Sequence, residues 1–102
     1  MRSVRFSTSF REELARLLAQ GVLRFGSLLV VEKRDLVIDT IQNFLVHHPR
    51  RPVDPELGIC TYPVTDTPFV LLYDFDDEEL RVHLVIHKSA DRMLVDLSAV
   101  VW

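Results

Sequence analysis

Phe69 to Phe75 is apolar at every position but Asp74, and a run of that length and composition reads as a strand buried on both faces of a sheet. Asp76-Asp77-Glu78 then turns the chain, and Leu80 to His87 runs back. So short a linkage predicts an antiparallel hairpin. Alternation along the return strand predicts that Leu80, Val82, Leu84 and Ile86 share the face against the rest of the core. Arg81, His83, Val85 and His87 then share the other, which makes an open sheet face with three cationisable side chains the candidate site. Upstream, Ile59 to Val64 is a strand candidate that Pro63 pushes toward an edge or a bulge, and Thr65-Asp66-Thr67-Pro68 is a turn.

The first half of the chain has a different period. Val4-Arg5-Phe6-Ser7 alternates and predicts a short strand. Ser9-Phe10-Arg11-Glu12 is a capping-box pattern, in which hydroxyl and carboxylate satisfy orphan amides reciprocally. Behind it Phe10, Leu14, Leu17 and Leu18 form one helical stripe, and Gly21 stands where a C-terminal cap belongs. Val37, Ile38, Ile41, Phe44 and Leu45 form a second stripe. The β-branched residues of Leu28 to Val31 fit either first helical turns or an extended piece; the reading taken is one helix from about Ser27 to Val46. Pro49, Pro52 and Pro55 interrupt regular structure, and Gly58 opens the sheet region. The expected order is strand, helix, helix, three antiparallel strands: an α+β domain spanning 1–102, its two-helix hairpin packed on one face of a mainly antiparallel sheet. The tail, about 90–102, is polar and then apolar. Its Leu94, Leu97, Val100, Val101 and Trp102 either close the core or dock a partner.

With 102 residues, 48% of them apolar, the chain is one domain that needs no staple. Its single cysteine, Cys60, excludes an internal disulfide, argues against a Cys-based zinc site and suits a reducing compartment. No apolar stretch near the N-terminus marks a signal peptide and none is long enough to cross a bilayer, so a cytoplasmic protein without membrane contact is expected. Charge is uneven. Residues 1–53 hold nine Lys/Arg against five Asp/Glu, a net of +4, and residues 54–102 hold three against ten, a net of −7. The total of −3 is not that of a dominant nucleic-acid binder.

Each candidate residue has a plain reading beside a functional one. His87 and His83 suit acid–base work near neutrality, or are sheet-face histidines bonded to neighbours. Four residues apart on a strand they lie roughly 13 Å from each other, too far to share a metal. His47-His48-Pro49-Arg50-Arg51 is the only dense cationic cluster; it suits phosphate, or a solvated loop drawn to a helix C-terminus. Lys33-Arg34 reads as a solvated helix face, Tyr73 as a core-edge aromatic or a catalytic group, Asp74 to Glu79 as a soluble turn and Cys60 as a buried thiol.

The opening Val4-Arg5-Phe6-Ser7, the phrase Phe44-Leu45-Val46-His47-His48-Pro49 and the stretch from Leu71 to Leu80 followed by Val85-Ile86-His87-Lys88 resemble the RelE/ParE superfamily of bacterial toxin–antitoxin toxins, over about residues 3 to 89. The resemblance implies a β-α-α-β-β-β fold and an antitoxin partner. It also implies cleavage of mRNA at the ribosome, or inhibition of gyrase through surface contacts, with a non-catalytic binding protein of the same fold as the alternative. No cofactor or metal is implied, and a homo-oligomer is compatible with it. Matching catalytic positions are Tyr73, Arg81, His83, His87 and Lys88, acting by orientation and charge stabilisation, with Arg50 and Arg51 on RNA. Two departures weaken the ribonuclease: Val70 replaces an arginine common in the third strand, and Asp74 replaces a basic residue. The acids from Asp74 to Glu79 repel phosphate within roughly 8–10 Å.

Overall fold

The computed structural model describes residues 2–102. Strand β1 (Ser3–Phe6) leads into helix α1 (Thr8–Phe25), which turns at Gly26 into α2 (Ser27–Asp39). A π-helical turn, Thr40–Leu45, continues α2 without a break and buries Ile41 and Leu45. Strands β2 (Cys60–Pro63), β3 (Phe69–Phe75) and β4 (Glu79–His87) follow, and single 3₁₀ turns at Arg92–Leu94 and Leu97–Ala99 shape the tail.

The sheet has the order β1-β4-β3-β2. β4 pairs antiparallel with β3 and parallel with β1, and β3 pairs antiparallel with β2. Pro63 therefore lies in an edge strand, where its missing donor costs no ladder bond. The fold is α+β, two helices against a four-stranded mixed sheet, as the sequence predicts.

The helical hairpin covers one face. Phe10 and Leu14 of α1, Val37 of α2 and Ile41 and Leu45 of the π turn meet Leu71, Tyr73, Leu80, Val82 and Val85 of the sheet. The second helix begins and ends within a residue of the predicted span, but the first departs from it twice. Its N-cap is Ser7 rather than Ser9: the Ser7 hydroxyl accepts from the Phe10 amide at 2.8 Å, because the chain leaves the sheet one residue after β1 ends. Its C-cap is Gly26, at φ 86°, not Gly21. Gly21 lies within the helix, where a Cβ would come within 3.1 Å of Val30 Cγ2, so its bare backbone lets α1 and α2 approach closely.

The opposite face holds the main correction. The β3–β4 register shifts between Leu72 and Tyr73, which pair with Leu84 and Val82 respectively. His83 is thus the extra residue of a β-bulge, and alternation inverts past it. Leu80, Val82 and Val85 face the helices, whereas Leu84 and Ile86 face away with Val70 and Leu72. Nor is that face open. Leu57, Ile59, Val95 and Leu97 pack on it, so the tail is a strap across the sheet. Its end is tied to the start of α1: Ser9 and Val101 exchange two bonds, from the Ser9 amide to the Val101 carbonyl at 3.1 Å and from the Val101 amide to the Ser9 hydroxyl at 2.8 Å.

Candidate functional site

Beyond the strap's apolar stretch the sheet face ends in a polar cluster built by register. Arg81 of β4 stands opposite Asp74 of β3 and beside Arg5 of β1. Its guanidinium grips Asp74 with two nitrogens, Nε to Oδ1 at 3.0 Å and Nη2 to Oδ2 at 3.1 Å. Nη1 donates to Asp76 at 2.8 Å and to Glu79 at 3.3 Å. His83, swung out by the bulge, places Nε2 at 2.8 Å from the same Asp74 oxygen that binds Arg81 Nε. Its ring meets that of Trp102 edge-on, with centroids 4.7 Å apart, and the Arg5 guanidinium lies over the indole at 5.0 Å.

Asp74 is the hub of this cluster. Partial burial pushes its carboxyl up, but the bonds from Arg81 and His83 outweigh that and hold it below the usual carboxylate range. Asp76, bonded by Arg81 and by the amides of Glu78 and Glu79, is lowered to about 2. The same acids, Asp74 first and Asp76 next, raise the Arg81 pKa. Arg81 thus meets three carboxylates, and its positive charge is spent inside the protein.

The other sequence candidates lie apart. His87 is six residues along β4 from Arg81, roughly 20 Å away, and the bulge has turned it to the helix side. Its Nδ1 accepts from the Ser89 amide at 3.1 Å and lies 2.7 Å from the Ser89 hydroxyl. Lys88 follows it, exposed, with its amide on the Pro68 carbonyl. Tyr73 is fully buried among core residues. Its hydroxyl donates to the Pro49 carbonyl at 2.7 Å, and burial raises its pKa; a group so placed anchors the loop after the π turn. The structure therefore brings Arg81 and His83 together and leaves Tyr73, His87 and Lys88 elsewhere. Arg50 and Arg51 sit at the opposite end of the α2–π helix from the Gly26 turn, with His47 and His48 beside them and Arg2 completing a cleft. Arg2 escaped the sequence reading because only the tertiary fold brings it there. Among the described residues no three of His, Cys, Asp and Glu come together to hold a metal ion, and no helix is long and apolar enough to cross a membrane.

Sequence reasoning also missed a second concavity. Between the helical hairpin and the far end of the sheet lies an apolar groove of about 320 Å³, floored by Leu17, Leu18, Val30 and Phe69 and rimmed by Arg24, Lys33 and His87. Leu23, Phe25 and Leu28 stand out at the hairpin tip beside it, between 65% and 89% exposed. Leu23 and Leu28 fell outside the helical stripes, which is the only sign the sequence carries of an apolar residue with no intramolecular partner.

No family model matches the sequence, and no curated protein is similar to it at a significant level. A chain of the solved structure described as the chromosomal ParDE TA system from P. aeruginosa superposes with a TM-score of 0.70, covering 85% of this chain and 96% of that one at 15% identity. At such low identity the likeness is one of architecture. This chain shares its fold, a helical hairpin on a four-stranded mixed sheet, with a component of a ParDE toxin–antitoxin system.

Proposed function

We propose that this chain is the toxin-like half of a two-protein toxin–antitoxin module and that it acts by binding its target, not by cleaving it. The shared fold with a chain of the ParDE system carries the first half of the reading. The state of Arg81 supports the second. A guanidinium that stabilises phosphorane charge must offer free donors, whereas here Nε, Nη1 and Nη2 all end on Asp74, Asp76 and Glu79. His87, a matching position under the resemblance and a candidate general acid or base, stands on the other side of the sheet.

The apolar groove suits the antitoxin. Its floor is hydrocarbon and its rim is cationic, with Arg24, Lys33 and His87, so the complementary occupant is an amphipathic segment that carries acidic residues along its polar edge. Leu23 and Leu28, outermost at the tip, offer the largest unclaimed apolar area to such a segment.

Induced expression of the chain alone tests the reading. Growth should arrest, and co-expression of a small protein encoded beside it should relieve the arrest. Normal growth at high soluble expression sinks the toxin. Extracts from arrested cells should contain intact mRNA, and His87→Ala should still arrest growth. Ribosome-dependent mRNA cleavage that His87→Ala or Arg81→Ala abolishes would establish the endoribonuclease instead. A supercoiling assay then tests gyrase as the target that is bound.

A further inference from the structure

The cleft at the end of the π turn carries a second site. It encloses about 330 Å³ and is lined by Arg2, His47, His48, Arg50, Arg51 and Phe75. Five of these side chains are cationic or can become so, and none is acidic. Among the described residues, none of the five forms an ion pair.

Four of the carbonyls around the cleft are already occupied. The Val46 carbonyl takes Arg2 Nη1, the Pro49 carbonyl takes the Tyr73 hydroxyl, and the Arg50 carbonyl takes Arg51 Nη1. The Phe44 carbonyl takes the amides of His47 and His48. What remains is a surplus of donors. Arg2 uses Nε on the Asp76 carbonyl and Nη1 on Val46, which leaves Nη2. Arg51 spends only Nη1, and Arg50 and the two imidazoles have no acceptor at all among the described residues.

Two of these donor groups, the guanidiniums of Arg51 and Arg2, are held in place. The Arg51 guanidinium lies over the rings of Phe44 and Tyr62, at 5.3 and 5.1 Å from their centroids. Arg2 lies over Phe75 at 5.3 Å. The loop itself hangs on the buried Tyr73 hydroxyl. Converging planar forks fixed before a ligand arrives are the arrangement that recognises a phosphate group. The nearby acidic turn does not fill the cleft, because the Asp76 carboxylate is turned to Arg81 and to the amides of Glu78 and Glu79. We propose that this cleft is a phosphate-binding site, for either a mononucleotide phosphate or a backbone phosphate of a single nucleic-acid strand. Three of the nine Lys/Arg of residues 1–53, Arg2, Arg50 and Arg51, line it.

Titration of the ¹⁵N-labelled protein in low salt tests the site with three probes: inorganic phosphate, adenosine monophosphate and a hexameric oligouridylate. Saturable shifts at His47, His48, Arg50 and Arg51 are expected. Arg50→Gln should weaken the tightest probe roughly tenfold, the loss of one charge-assisted bond. Arg34→Gln removes the same net charge from exposed α2 and should change it less than twofold. Competition of the monophosphate with the oligonucleotide at similar concentrations identifies a mononucleotide site. Binding of the oligonucleotide alone, weakening steeply with salt, identifies the strand backbone. Absence of saturable binding by all three probes, or equal weakening by both variants, overturns the proposal. A protein that arrests growth and binds its antitoxin but no phosphate keeps the toxin reading and loses this site.

Discussion

Ser7 does two jobs with one hydroxyl. It accepts from the Phe10 amide at the start of α1 and donates to the His83 carbonyl at 2.5 Å, and so joins helix cap to bulge in a fully buried position. Ser7→Ala should cost about 1–3 kcal/mol in urea unfolding, since it strips a cap and orphans a carbonyl; an unchanged midpoint would show that water replaces both bonds. Asp76 makes a prediction in pH. Its carboxyl is held at about 2 in the folded chain, against roughly 4 unfolded. The folded state therefore takes the proton later than the unfolded one. Stability from this group is present above about pH 4 and drains as pH falls toward about 2. Urea midpoints measured down that range should fall less in Asp76→Asn than in the parent. None of these partnerships was legible in the sequence, which shows acids near Arg81 but not which of them bind it. Tyr73 is the reverse case: its place inside an apolar run already pointed to the core.

At the level of elements, the strands and helices were readable because long periodic stretches override local ambiguity. The apolar run of β3 and the stripe of α2 both reappear in the fold. Their failures have specific causes. Gly21 resembled a cap because a glycine at a helix end and a glycine at a close helix crossing look alike in one dimension. Alternation in β4 failed at one residue, since period two presumes an unbroken pleat and His83 interrupts it. That bulge makes a deletion test. Removing His83 brings Val82 and Leu84 into adjacent positions, where the pairings Tyr73↔Val82 and Leu72↔Leu84 already want them. The shortened chain should fold with the β3–β4 register regular and with Leu84 and Ile86 still facing the strap. Removing Arg81, in the regular part of the strand, displaces either Leu80 or its register and should leave little folded protein. Thermal melts and cross-strand NOEs distinguish the two; equal damage from both deletions would refute the bulge as the cause of the inverted alternation.

Over the whole molecule, the sequence left the tail's role open between core and interface, and the structure places part of it in the core. Val95 and Leu97 pack on the sheet, whereas Leu94 stays 82% exposed. Deleting Val100 to Trp102 removes the paired bonds to Ser9, the Thr8 bond to the Trp102 carbonyl and the indole contacts to His83 and Arg5. With Trp102 already 39% exposed, the cost should be about 1–3 kcal/mol, below that of a fully buried aromatic. That is a fall in melting temperature of roughly 5–15 °C for a domain of this size. An unchanged melting temperature with lost partner binding would assign these residues to the interface alone. Trp102 is also the only tryptophan in the sequence, placed in the strap and partly shielded by contacts with an imidazole and a guanidinium. The molecule thus carries its own optical gauge: indole emission shifts to the red when the strap lifts into water, so anything that unseats it can be followed by light alone, with no label attached.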